Sequence, residues 1–148
     1  MLHTLSASAD KLVIGYPWWF WLGFMLVGAG FFAALLRGEF KSAARAISAP
    51  FFGLALLGAG FYFFGYKTTL DDTFVRVYEP FRSDRRIAWS AVTNTESFQR
   101  EVGRRRQNVA TFILIQGSGS EALEVPISGL STEEVQRVLK FIEKRTSK

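Results

Sequence analysis

Two charge-free apolar runs occupy the first half of the chain, and a change of period marks the second half. From Tyr16 to Leu36 the sequence YPWWFWLGFMLVGAGFFAALL carries no charge over 21 residues. At about 1.5 Å rise per residue such a helix crosses a hydrocarbon core of about 30 Å, so the run predicts a transmembrane helix. Tyr16, Trp18, Trp19 and Trp21 cluster at its start, where amphipathic rings favour the headgroup level, and Arg37 closes it. A second run, from about Ala46 to Tyr66, is closed in the same way by Lys67, and Pro50 near its start lies where a missing N–H costs least. The runs also resemble each other: LVGAGFF at 26–32 matches LLGAGFY at 56–62. The small residues Ala29, Gly30, Ala33 and Ala34 on the first span, with Ala55 and Ala59 on the second, are candidate helix-packing positions. Small side chains let backbones approach where lipid supplies no hydrophobic drive. The two spans are expected to form an antiparallel hairpin, and the same faces could equally serve a second copy of the chain or another membrane subunit. Between the runs, Arg37, Lys41 and Arg45 recur at spacing four, which fits either a short in-plane helix on anionic headgroups or a solvated turn.

After Lys67 the apolar positions alternate. Phe74 to Tyr78 and Arg85 to Trp89 read as two strands around a turn containing Pro80, Ser83 and Asp84. Residues 93–101 are polar on both faces and predict an edge strand. The run from Val109 to Ile115 is apolar on both faces and predicts the most buried strand. Gly117-Ser118-Gly119-Ser120 turns the chain into a last strand, Ala122 to Ile127. Ser131 and Glu134 then form a capping box that opens a helix. Val135, Val138, Leu139 and Ile142 make its apolar stripe, and Lys144 and Arg145 suit its C-terminal dipole. Three segments follow from this pattern: an N-terminal segment (1–15), a helical hairpin (16–66, with spans 16–36 and about 46–66) and a soluble domain (67–148).

Composition sharpens the division. Residues 1–66 hold four Lys/Arg, two Asp/Glu and 16 of the 23 aromatics, while the rest holds 14 Lys/Arg and 11 Asp/Glu. Eighty-two further residues (67–148) are too few to wrap so apolar a hairpin in water. A cleaved signal peptide fits poorly, because the apolar region is too long and no cleavage geometry follows it. Positive charges on the flanks (Lys11, Lys67, Arg76, Arg82, Arg85, Arg86) outnumber those in the connecting loop, which places both termini in the cytoplasm.

The step Arg86, Ile87, Trp89, Val92, the stretch Val-Pro-Ile-Ser-Gly-Leu at 125–130 and a single capped C-terminal helix resemble the bacterial pleckstrin-homology-like domains that follow a two-helix membrane hairpin. The resemblance implies an α+β membrane protein. Two transmembrane helices precede a curled antiparallel β-sheet, a partial barrel of about six or seven strands, capped by the C-terminal helix and facing the cytoplasm. It implies a platform for binding and says little of activity.

Reactive chemistry finds no support in the residues. With no Cys and one His, thiol catalysis, disulfides and Cys/His zinc sites are excluded. His3 is expected in a mobile N-terminal segment, Asp71-Asp72 reads as a turn rather than a cation site, and Gly117–Ser120 lacks the partners of a nucleophile elbow or phosphate loop. No catalytic residue, metal ligand or cofactor site is expected. The candidate contacts for a partner or for anionic lipid are Arg82, Arg85 and Arg86 in one loop, and Arg100, Arg104, Arg105 and Arg106 around another; solvated loops are the plain alternative. Nucleic acid is disfavoured because no aromatic stacking platform accompanies these arginines. The expected protein is a non-enzymatic, multi-pass protein of the bacterial inner membrane, whose cytoplasmic domain binds a protein or the membrane surface. The alternative is an auxiliary or assembly subunit of a transporter or membrane enzyme, contacting its partner, or a second copy, through the hairpin.

Overall fold

The computed structural model describes residues 3–8, 10–40, 42–102 and 108–147. The chain divides into two compact units: a β unit made of residues 1–15 and 66–148, and a helical unit made of residues 16–65.

Among its described residues the β unit contains eight strands. β1 (Thr4–Ser8), β2 (Lys11–Gly15), β3 (Lys67–Asp71), β4 (Phe74–Tyr78) and β5 (Arg85–Ala88) form one antiparallel sheet in chain order. A 3-10 turn, Trp89–Ala91, leads to the second sheet of β6 (Val92–Val102), β7 (Asn108–Gly117) and β8 (Ala122–Pro126), with β7 at its centre. The helix α3 (Thr132–Thr146) follows and is opened by the expected capping box, in which Ser131 and Glu134 each bond the other's backbone N–H. One core joins these parts: Leu12, Ile14, Leu70, Val75, Val77 and Ile87 from the first sheet, Ile113, Ile115, Leu123 and Val125 from the second, and Val138 and Ile142 from α3. Those strand positions alternate with more exposed neighbours, except in β3, where Thr68 and Thr69 are buried as well, and at the end of β8, where Pro126 is buried beside Val125.

Residues 1–15 were expected as a segment apart from the soluble domain; Thr4–Ser8 and Lys11–Gly15 are instead the first two strands of the β unit. Lys11-Leu-Val-Ile-Gly15 alternates correctly, with Leu12 and Ile14 turned to the core, and pairs with β3 in the register Gly15↔Lys67 to Lys11↔Asp71. The first sheet therefore closes across the inserted hairpin, since β2 precedes that hairpin and β3 follows it. His3 is likewise held, 5% exposed, with its Nδ1 donating to the Ser128 carbonyl at 2.8 Å.

The helical unit consists of α1 (Trp18–Leu36) and α2 (Ala43–Gly65), both long and apolar enough to span a membrane. The connection is short and includes Gly38 at φ +67°, so Arg37 and Arg45 lie on either side of a turn and not along one in-plane helix; Lys41 lies outside the described residues. Pro50 falls in the interior of α2, because the helix begins at Ala43, ahead of the expected start.

The close backbone approaches between the two helices fall at Gly28, Gly53 and Gly60, which are not among the six expected small residues. A Cβ placed on Gly28 would meet the Gly53 carbonyl oxygen at 2.9 Å, and one on Gly60 would meet the Trp21 carbonyl oxygen at 3.0 Å. Gly28, Ala49, Gly53 and Gly60 are the buried positions of the two helices. Gly30 meets nothing within 4 Å, because two residues turn a helix by about 200° and carry it to the far side from Gly28. Ala29, Ala33 and Ala55 are exposed, and Ala34 and Ala59 are half-buried. Around the seam the aromatics interlock edge to face: Phe63 packs on Tyr16 and Phe20, and Trp21 on Phe64, with centroids 4.7 to 5.0 Å apart.

Candidate functional site

The antiparallel register aligns Thr4, Gly15, Lys67 and Tyr78 in one row across β1 to β4. That row is one end of the sheet, and three features meet there. The chain leaves the β unit for the helical hairpin after Gly15 and re-enters it at Tyr66 and Lys67. Lys67 places its ammonium 5.8 Å from the centroid of the Tyr78 ring. Directly after Tyr78, the turn 79–84 carries Arg82 and leads into Arg85 and Arg86 at the start of β5, the first arginine cluster.

This turn is organised around one carboxylate. Glu79, its side chain largely sequestered, accepts from Arg82 at 3.1 Å and from Arg85 at 2.9 Å, while the Arg82 N–H closes the turn on the Glu79 carbonyl. Next to it, Arg76 and Asp84 pair at 2.5 Å. The hydrogen bond from Arg76, reinforced by its charge, holds the Asp84 carboxyl below its ordinary range. Arg86 stands directly opposite Arg76 across β4 and β5, a like-charge pair whose two charges both act on the Asp84 carboxylate, although only Arg76 bonds it. Among the described residues Arg86 forms no ion pair.

The second cluster is divided. Arg100 lies on the outer face of the second sheet, where it bonds Glu124 through both terminal nitrogens, at 2.6 and 3.2 Å. It also covers the stacked rings of Phe98 and Phe112, 5.3 and 5.5 Å from their centroids. This arrangement explains why the 109–115 run is apolar on both faces: Ile113 and Ile115 enter the core, and Phe112 serves the aromatic pair outside it. Arg104, Arg105 and Arg106 lie outside the described residues. Arg82, Arg85 and Arg100 are thus each engaged by an acid of the same chain, and Arg86 is the exception among the described candidates.

The remaining polar groups read as structural. Asp71 Oδ1 accepts from the backbone of Thr73 and Phe74 and from the Thr73 hydroxyl, all within 2.9 Å, which makes the expected turn. Partial burial opposes ionisation of Asp71, but those hydrogen bonds outweigh it and lower the carboxyl below its usual value. Asp72 pairs with Arg145, whose guanidinium also lies over the Phe141 ring. Trp89 donates its indole N–H to the Asp71 carbonyl at 2.7 Å, so the turn and the 3-10 segment lock each other. Among the described residues no group of three or more His, Cys, Asp or Glu side chains can hold a metal ion. Sequence reasoning missed the sheet end itself, because its row of residues exists only once β2 and β3 are paired across the hairpin.

No protein-family model and no characterised protein matches the chain.

Proposed function

We propose that this is an integral membrane protein of the bacterial inner membrane whose cytoplasmic, pleckstrin-homology-like β domain is a binding module, not an enzyme. The observation that carries the reading is the pairing of Gly15 with Lys67. A hairpin inserted into a sheet leaves and returns at one edge of one domain, so a lipid-spanning hairpin puts residues 1–15 and 66–148 on the same membrane face. That parity agrees with the flanking excess of Lys and Arg. Support for lipid as the solvent comes from the helices themselves. Leu26, Val27, Ile47, Phe51, Phe52, Leu54 and Phe61 are all exposed, whereas the core helix of a water-soluble domain buries such residues. A signal sequence is also a poor fit, since the strands ahead of α1 belong to the same sheet as β3.

Binding is favoured over catalysis because Arg76, Arg82, Arg85, Arg100 and Arg145 are held in ion pairs and Asp71 in a turn, which leaves these groups structural. The test is crosslinking from photoreactive residues placed at Arg86 and Arg100 in native membranes. Specific adducts at these sites, lost when neighbouring arginines become Ser, support the reading; turnover of a lipid or nucleotide by the purified protein contradicts it.

A second reading rests on a separate observation. Ala29, Gly30, Ala33 and Ala55 are unused by the intramolecular seam and remain on the helix surface. They suit close approach by another transmembrane helix, as in an auxiliary subunit of a transporter or membrane enzyme. Leu at Ala29, Gly30 and Ala55 abolishes partner recovery under this reading and leaves it intact under the first.

A further inference from the structure

The turn 79–84 contains a large apolar residue in a conformation that ordinary side chains avoid. Phe81 is the one non-glycine residue at positive φ among those described, at +69°, and its side chain is 81% exposed. A bulky residue in the left-handed region is sterically costly, and a soluble turn places Gly, Asn or Asp there. Strain of this kind is retained where the side chain has work at that spot. The turn is also rigidly made: Glu79 holds Arg82 and Arg85, the Arg82 N–H bonds the Glu79 carbonyl, and Pro80 beneath is buried. Phe81 is therefore presented outward, with Arg82 beside it.

The turn follows Tyr78, in the row where the chain departs for the helical hairpin after Gly15 and returns at Lys67. If the hairpin spans a bilayer, Gly15 and Lys67 lie within one or two residues of its ends by covalent connection alone, and the turn follows the residue paired with Lys67. An exposed Phe with an exposed Arg, next to a Lys over a Tyr ring, is the composition of the membrane interface, where aromatic rings sit at headgroup depth and cations meet lipid phosphate.

We propose that the 79–84 turn is a second, non-helical membrane contact: Phe81 enters the headgroup–acyl boundary and Arg82 meets anionic lipid phosphate. The inference rests on the membrane reading above and adds to it a surface-bound loop that restricts the tilt of the domain.

The chain has no cysteine, so single cysteines carrying an environment-sensitive fluorophore give a direct test in the full-length protein. Three positions suffice: Ser83→Cys in the turn, Val27→Cys within α1, and Asp10→Cys at the β1–β2 turn, at the opposite end of the sheet. The protein is placed in phosphatidylcholine vesicles with or without phosphatidylglycerol, and quenching is read with lipids bearing a nitroxide below the headgroup or deep in the acyl chain. Position 83 is expected to be quenched by the shallow nitroxide roughly twofold or more above position 10. Phe81→Ser in the same chain removes the excess, and Arg82→Glu reduces it in the phosphatidylglycerol vesicles. Quenching at 83 no greater than at 10, with Val27→Cys quenched by the deep nitroxide, overturns the loop contact alone and leaves the turn to a protein partner. Loss of quenching at both 83 and 27 overturns the loop contact and the membrane reading together.

Discussion

Gly28 and Gly53 bring α1 and α2 so close that a methyl group on Gly28 would lie 2.9 Å from the Gly53 carbonyl oxygen. Lipid gives helices no hydrophobic reason to associate, so backbone approach at such points is what holds a hairpin together. Gly28→Val is expected to destabilise the hairpin by about 1–3 kcal/mol, because the clash is with backbone and cannot be relieved by a rotamer change. Gly30→Val meets nothing and leaves the hairpin unchanged. Thermal unfolding of both variants in mild detergent separates them; equal melting contradicts the seam.

His3 provides a pH test of the N-terminal strands. Burial lowers its pKa, and the hydrogen bond to the Ser128 carbonyl opposes that shift only in part. The unfolded chain therefore binds the proton at higher pH than the folded one. The stabilising contribution of the neutral ring is complete above the unfolded value of about 6.5 and is lost as pH falls through the lower, folded value. Denaturant unfolding of the intact protein should show stability declining below pH 6.5, with a smaller decline in His3→Gln. An identical pH dependence in the two proteins contradicts the buried, neutral histidine.

Thr68 sits at 0% exposure in β3, and its hydroxyl has no hydrogen-bond partner among the described residues. Thr68→Val preserves the shape and removes an unsatisfied polar atom, so it is expected to raise stability by about 1 kcal/mol. A destabilised variant, measured by the denaturant midpoint, indicates a partner for the hydroxyl.

The capping box predicts a loss of the opposite sign. Ser131→Ala removes the side-chain bond to the Glu134 N–H and should cost about 1 kcal/mol. The hydrogen bonds from Ser131 hold the Glu134 carboxyl below its ordinary value, so their contribution is present above the unfolded carboxyl pKa and is lost as acid protonates the folded group. A helix equally stable in Ser131→Ala and in the parent protein, followed by hydrogen exchange, contradicts the cap.

What the sequence disclosed depended on how local each signal was. The two apolar helices, the strands from Phe74 onward and the capped helix all announce themselves within windows of a few residues, and each is present within a few residues of its expected ends. The strands of residues 4–15 were missed because Leu12 and Ile14 make too short an alternation beside a long apolar run, and their partner β3 lies beyond the whole hairpin. Leu139, expected on the buried stripe of α3, is 44% exposed, since Val138 and Ile142 take the centre of the contact and leave it at the margin. The helix seam was misplaced for a similar reason. Gly and Ala recur throughout both spans, and only the rotation of each helix, set by its aromatic neighbours, decides that Gly28 and not Gly30 faces the partner. The arginines were legible as clusters, but not their acids: Glu79 and Glu124 are brought to them by turn geometry and strand pairing.

The central claim is that a membrane-crossing hairpin interrupts one β-sheet, and labelling of single cysteines on the two sides of the membrane tests it most directly. Full-length protein carrying Asp10→Cys, Ser42→Cys or Ser118→Cys is exposed to a membrane-impermeant maleimide in intact cells and in inverted vesicles. Positions 10 and 118 should be labelled together in inverted vesicles only, and position 42 in intact cells only. Labelling of 42 from the same side as 118, or of 10 and 118 from opposite sides, contradicts the account.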